Sequence, residues 1–202
     1  MKKGNLIGLF ATVGLILGFG QCKPSETQDV AVEKAAWELL GYQSYLDYGK
    51  HLVTISGCND CHTPKKMGPR GPELDMDLEL SGHPANMPFP DVDRAAMEKS
   101  GYAVTQTLSA WVGPWGVSFA SNLTSDPTGL GGWTEEQFFI SLREGKAKGI
   151  SEGRTLLPPM PWEMFKHMSD DELRAIFAYL KSIKPIDNLV PNPLPPVSAM
   201  GQ

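Results

Sequence analysis

Apolar residues recur at helical spacing from about residue 31 to residue 56,. Gly41 interrupts the pattern, so we expect it to break this helical region in two. The second of the two predicted helices leads directly into Cys58. The apolar positions that define the pattern are Trp37, Leu40, Leu46, Leu52, Val53 and Ile55.

Two later helices are predicted from residues that suit a helix start. Thr134-Glu135-Glu136-Gln137 and Ser169-Asp170-Asp171-Glu172 both match the capping box, in which two side chains satisfy free backbone N–H groups at the first turn,. We expect the first helix to run to Gly145 and the second to about Ile183.

The segment at residues 63–117 has no strong periodicity apart from an amphipathic piece near residues 91–99. It contains two turn clusters, Gly68-Pro69-Arg70-Gly71-Pro72 and Gly113-Pro114-Trp115-Gly116,. A connection of this length is unusual unless it wraps another part of the molecule or is partly disordered. The proline-rich tail at residues 186–202 is expected to form an extended strap or a loose end.

The N-terminus has the features of an export signal at residues 1–21. Lys2 and Lys3 precede an apolar run of 14 residues, from Leu6 to Phe19,. This run is shorter than the roughly 20 residues of a transmembrane helix. We therefore expect the chain to mature outside the cytoplasm.

Cys22 follows the apolar run and resembles the acylated cysteine of bacterial lipoproteins. Lipidation predicts an anchor on the periplasmic side of a membrane, with residues 22–30 as the anchor cysteine and tether. The alternative is cleavage before Gln21, which leaves an unpaired thiol in a soluble periplasmic protein.

The composition and net charge of the chain limit the kinds of molecule that it is expected to bind. The chain is 41% hydrophobic and 20% charged, which is ordinary for a globular protein,. Loss of Lys2 and Lys3 with the signal leaves 16 basic residues against 23 acidic ones, a net charge of −7. This acidic balance argues against a nucleic-acid partner.

Cys58-Asn59-Asp60-Cys61-His62 is the motif that carries chemistry. Two thiols three residues apart can add to the two vinyl groups of one haem, and the adjacent imidazole can bind its iron,. The motif occurs once, so we expect one covalently attached haem c. The alternatives are a thioredoxin-like redox pair and part of a zinc site. For zinc, the other candidate ligands are scattered: Cys22, His51, His83 and His167.

Four segments in this order resemble the bacterial class I cytochromes c, especially the exported type found as soluble carriers and as cytochrome subunits of periplasmic dehydrogenases. The resemblance covers roughly residues 49–185. It implies an all-α fold whose helices wrap one haem, with long loops, in a domain at residues 31–185. The segments are GKHLVTISGCNDCHTP, GPWGVSFASNLTSDPTGLGGWTEEQF, LLPPMPW and MSDDELRAIFAYLKSIKP.

The resemblance also implies roles for residues outside the motif. The helix carrying Gly49 and Val53 is expected to cross the C-terminal helix at Ile176 and Tyr179. Asn122 and Trp133 match a loop that lies against the haem, with the Trp133 N–H as a candidate donor to a propionate. The alternative is that Trp133 belongs to the core and that Asn122 is a turn residue, without a role in haem binding. The chain departs from the family at Ser125, where proline is usual.

The resemblance places Met160 as the sixth iron ligand opposite His62, because Pro159 and Pro161 flank it before the last helix. Met164 and Met168 follow closely in the sequence and are alternative candidates for the sixth ligand. His51 and His83 are the other candidates. For the other nitrogen of His62, the expected hydrogen-bond acceptor is the carbonyl of Pro69 or Pro72.

The function expected from these features is single-electron transfer between redox proteins by a monohaem cytochrome, without an enzymatic site of its own. His/Met ligation fills both axial positions of the iron, which suits transfer rather than oxygen chemistry. One alternative is the cytochrome subunit that accepts electrons within a periplasmic dehydrogenase. The other is a haem sensor or peroxidase whose distal ligand leaves.

Overall fold

The computed structural model describes residues 35–101, 103–105 and 107–200. The predicted export signal, Cys22 and the tether lie outside the described residues. Within the described part of the chain, no helix is long and apolar enough to cross a membrane.

The described residues form seven α-helices, and the predicted helix starts at Thr134 and Ser169 are confirmed. Thr134 and Ser169 both form capping boxes, with Gln137 and Glu172 as their partners. The first helical region is divided at Gly41, as expected. The helices are α1 (Ala36–Leu39), α2 (Tyr45–Ile55), α3 (Cys58–His62), α4 (Arg94–Ser100), α5 (Glu135–Arg143), α6 (Trp162–Phe165) and α7 (Asp170–Ser182).

The predicted crossing of α2 and α7 is confirmed at Gly49. A Cβ atom at this position would overlap the carbonyl oxygen of Ala175 and would lie 2.9 Å from the Cβ of Tyr179. Glycine therefore allows the two helix backbones to touch. The core grows outward from this crossing and includes Leu52, Val53, Phe138, Leu142, Leu173, Ile176 and Leu180.

The all-α prediction is wrong, because the segment after α3 contains two small antiparallel sheets. In each, a predicted turn cluster forms the tip of a hairpin: Gly68 pairs with Gly71, and Gly113 pairs with Gly116. A cytochrome c fold remains compatible with this mixed architecture. The strands are β1 (Lys65–Gly68), β2 (Gly71–Leu74), β3 (Ala103–Val104), β4 (Ala110–Gly113) and β5 (Gly116–Phe119).

The tail forms a strap, which we define as residues 186–199. Leu194 and Val117 exchange backbone hydrogen bonds of 2.9 and 3.0 Å, so the strap extends the edge of β5. Arg94 donates to the carbonyl of Pro195 at 2.6 Å, and Glu98 accepts from the backbone N–H of Val197 at 2.8 Å. These bonds hold the strap against α4 and the three-stranded sheet.

Candidate haem site

An apolar cavity lies where the helices meet the three-stranded sheet. α3, α5, α7, β4, β5 and the loop at residues 157–161 all contribute to its lining. Its volume is about 320 Å³, within the range of about 300–1,000 Å³ for small-molecule and cofactor sites. The apolar part of the lining includes Leu123, Phe138, Leu142, Phe165, Ile176 and Leu180.

Cys58, Cys61 and His62 all line this cavity, because α3 carries the three residues on little more than one helical turn,. Burial raises the pKa of the Cys58 thiol to about 11 and also raises that of Cys61. A thioredoxin-like pair needs a thiol whose pKa is lowered. The environment of these thiols therefore disfavours that alternative.

The zinc alternative has no support in the part of the chain that the structure describes. Across residues 35–101, 103–105 and 107–200, no group of three or more His, Cys, Asp or Glu side chains is placed to hold a metal ion. A structural zinc site commonly needs four such ligands.

His62 is fixed by a hydrogen bond of 2.7 Å between its Nδ1 and the carbonyl oxygen of Ser121. The prediction that the carbonyl of Pro69 or Pro72 accepts this hydrogen bond is wrong, because both residues lie in the β1–β2 hairpin and Ser121 is the acceptor. Burial lowers the pKa of His62, and the bond to Ser121 opposes that shift in part. The ring is therefore neutral at pH 7, with the Nδ1 proton donated to Ser121 and Nε2 left as the nitrogen that can bind a metal.

Met160 lines the same cavity, together with Pro159 and Pro161. The Ser118 hydroxyl donates to the carbonyl of Pro158 at 2.6 Å, so β5 holds the loop that carries Met160. Among the rival methionines, Met168 also lines the cavity, whereas Met164 is 71% exposed and does not.

The two rival histidines do not line the cavity. His51 lies on the surface and contacts the ring of Tyr42. His83 is fully buried, and its Nδ1 lies 3.0 Å from the Ser109 hydroxyl. The geometry therefore favours a methionine over a second histidine as the partner of His62.

Asn122 and Trp133, which the family resemblance placed against the haem, are not among the residues that line the cavity. The Asn122 amide instead donates to the carbonyl of Ile186 at 2.8 Å and to the Thr128 hydroxyl at 3.1 Å. Trp133 packs against the hydrophobic core. The Asn122 side chain thus joins its loop to the strap, and Trp133 contributes to the core.

The sheet side of the cavity was missed by sequence reasoning. Trp111 of β4 and Ser118 and Phe119 of β5 line it, followed by Ala120. The turn cluster at residues 113–116 marks the tip of the β4–β5 hairpin. The family-like segment that begins at Gly113 includes Ser118, Phe119 and Ala120. Neither signal shows where the hairpin packs.

This combination of groups fits a covalently attached haem. Two thiols, a neutral imidazole and a thioether border one cavity whose remaining walls are mostly apolar. Thioether attachment needs the two thiols, and haem iron accepts imidazole and thioether as axial ligands.

Comparison with known proteins adds partial relatives, although no model of a known protein family matches the chain. The cytochrome c subunit of alcohol dehydrogenase (quinone) from Gluconobacter oxydans is 39% identical over 75 residues, which are 36% of this chain and 15% of that protein. The cytochrome c subunit of gluconate 2-dehydrogenase from Pantoea cypripedii is 33% identical over 88 residues, 40% of this chain and 19% of that protein.

A third relative is one of the subunits of nicotinate dehydrogenase from Pseudomonas putida. It is 35% identical over 79 residues, 39% of this chain and 6% of that protein. The chain thus matches less than a fifth of the length of each of these three relatives. Similarity to cytochrome c subunits of dehydrogenases implies binding of haem c and is consistent with a non-catalytic role in electron transfer.

Proposed function

We propose that this protein is a monohaem c-type cytochrome that accepts electrons as a subunit or close partner of a dehydrogenase. The observation that carries the proposal is the convergence of Cys58, Cys61, His62 and Met160 on one apolar cavity. The relatives named above include cytochrome c subunits of dehydrogenases, which favours the subunit role over that of a free carrier.

Each residue of the site has a distinct task in this proposal. Cys58 and Cys61 would hold haem through two thioether bonds, and His62 would bind iron through Nε2 while its Nδ1 donates to the Ser121 carbonyl. Met160 would supply a thioether ligand and would keep small molecules away from the iron. When bound, haem iron supplies reversible one-electron chemistry.

The apolar walls serve electron transfer in two ways. They exclude water from the iron and, with a thioether ligand, favour the ferrous state, which raises the reduction potential. The described residues that line the cavity include a single carboxylate, Asp60, and no lysine or arginine.

Attachment to a membrane is a separate part of the proposal. Cys22 carries a lipid after removal of residues 1–21, and the haem domain is held on the periplasmic side by the tether that follows. Each buried methylene of a lipid chain contributes roughly 0.8 kcal/mol, so several chains give a stable anchor. Detergent partitioning and the mass of the mature N-terminus test this part, and an unacylated product starting at Gln21 would overturn it.

A redox-titrated absorption spectrum tests the main proposal in protein matured by a host that makes cytochromes c. We expect one haem per chain, a low-spin spectrum in both redox states and a single one-electron transition. Reduced protein should not bind carbon monoxide. Rapid carbon monoxide binding would instead indicate an open sixth position and would favour the sensor or peroxidase alternative.

The dehydrogenase role is tested by reconstitution. The matured protein should accept electrons from a membrane fraction that contains an alcohol or gluconate dehydrogenase, when that enzyme's own cytochrome subunit has been removed. Reduction only by small-molecule dyes would contradict the subunit role and leave a free carrier.

A further inference from the structure

Two backbone segments contact His62, and both are distant from it in sequence. The carbonyl of Ser121 accepts from the ring Nδ1 at 2.7 Å, and the N–H of Gly82 donates to the His62 carbonyl at 2.7 Å. These segments also touch each other, because a Cβ at Gly82 would lie 2.6 Å from the carbonyl carbon of Ser121. The position of the imidazole therefore depends on both segments.

Asn122 fixes the first segment. Its side chain is 4% exposed, and its amide group donates to the Ile186 carbonyl of the strap. Its oxygen accepts from the backbone N–H of Thr124 at 2.9 Å and from the Thr124 hydroxyl at 2.8 Å. The peptide that precedes Asn122 carries the acceptor for His62, so these bonds also constrain that acceptor.

Asn188 fixes the second segment. Its amide group donates to the carbonyls of Ser81 at 2.7 Å and His83 at 2.9 Å, on either side of Gly82. Its oxygen accepts from the backbone N–H of Ala85 at 2.8 Å. One strap side chain thus holds the loop that contacts the backbone of His62.

We propose that Asn122 and Asn188 are positioning residues for His62, which set the length and direction of its bond to Ser121 and thereby the reduction potential of the bound iron. This inference rests on the proposed function, since it takes His62 as an iron ligand. A hydrogen bond donated by the free ring nitrogen makes imidazole a stronger electron donor, and a stronger donor stabilises ferric iron over ferrous iron.

The direction of the expected change follows from this argument. When Asn122 or Asn188 is replaced, the acceptor is less well fixed, the bond from Nδ1 lengthens, and ferric iron loses stabilisation. The potential should rise. Loss of such supporting partners typically weakens metal sites about 10- to 100-fold, so we expect a shift of up to about tenfold in the ferric-to-ferrous ratio, which is about 59 mV for one electron.

The experiment compares Asn122→Ala and Asn188→Ala with Asn192→Ala in the full, haem-loaded protein. Asn192 is a matched control because it lies in the same strap, is exposed, and makes no hydrogen bond to the described part of the chain. Two quantities are measured: the midpoint potential, and the rate at which the Nδ1 proton of His62 exchanges with solvent in the ferrous protein, by NMR. In both test variants the potential should rise and exchange should accelerate, whereas the control should match the wild type.

A merely structural role predicts a different result. If both test variants melt at lower temperature but keep the potential and exchange rate of Asn192→Ala, the positioning role is overturned. If Asn122→Ala does not fold, Asn188→Ala decides alone, since it leaves every bond of the Asn122 side chain to Thr124 and Ile186 intact. Absence of covalent haem in the wild type would instead overturn the proposed function itself.

Discussion

The cavity has two walls that are built in different ways. On the helical side, Cys58, Cys61 and His62 lie together in one short helix, and the support beneath them is the crossing of α2 and α7. On the sheet side, the lining of β4 and β5 depends on partners far away in sequence, including the pairing of Val117 with Leu194. The residues that would attach haem are thus local, whereas those that orient it are not.

The difference shows that attachment and tuning can fail separately. Damage to the helical wall removes the groups that bind the cofactor or the support beneath them. Substitutions in the sheet wall should leave Cys58, Cys61 and His62 in place but should loosen the residues that pack around the cofactor. Substitutions in each wall test this separation.

Replacement of both Cys58 and Cys61 by alanine should abolish covalent haem, because no sulfur remains to form a thioether. Acid–organic extraction followed by mass spectrometry of the polypeptide measures this directly. Cys22→Ala is the matched control and should retain covalent haem. Wild-type haem that extracts freely would contradict attachment at this motif.

Met160→Ala should remove the thioether ligand. The reduction potential should fall, the thioether-to-ferric charge-transfer band should disappear, and reduced protein should bind carbon monoxide. Met164→Ala and Met168→Ala should keep the band. Loss of the band in Met168→Ala alone would move the sixth ligand to Met168, the other methionine that lines the cavity.

Gly49→Ala should destabilise the helical wall by about 3 kcal/mol, at the upper end of the cost of overpacking, because the added methyl group meets backbone rather than a movable side chain,. Denaturant unfolding measures the change. Gly132→Ala is a suitable control, since a Cβ there meets nothing within 4 Å. Equal stability of the two variants would show that the crossing is looser than described.

Ser118→Ala should have the smallest effect, about 1 kcal/mol of stability. The change removes the bonds to the Pro158 carbonyl and to the Trp115 indole N–H, which are 2.6 and 3.2 Å long. Ser151→Ala, at an exposed position, is the control. We expect reduced Ser118→Ala to bind carbon monoxide slowly, which the wild type should not do, since the Met160 loop is less firmly held. No detectable binding in the variant would show that β5 does not steady this loop.

The helical wall could be predicted from the sequence because its signals are short. A pentapeptide predicts the residues that would attach haem, two four-residue patterns predict the starts of α5 and α7, and Gly49 marks a close crossing. In each case the residues that form the sequence pattern also form the structural feature, or lie within one or two helical turns of it.

The sheet wall could not be predicted in the same way. Its strands have at most four residues, too few for alternation to stand out, and only their turns were visible,. The acceptor for His62 was misassigned because a backbone carbonyl such as that of Ser121 leaves no mark in the side-chain pattern. The resemblance predicts that Asn122 lies in a loop against the haem, but the observed partner of its side chain, Ile186 in the strap, is more than sixty residues away in sequence.

The strap also has a consequence for the order in which the protein is made. A chain is synthesised from its N-terminus, so the attachment helix exists long before residues 186–199. A product that ends before residue 188, through a premature stop or proteolysis, keeps Cys58, Cys61 and His62 but lacks Asn188 and Leu194, the strand partner of Val117. Such a product would still be coloured by haem, so colour alone is a poor measure of intact protein in a preparation.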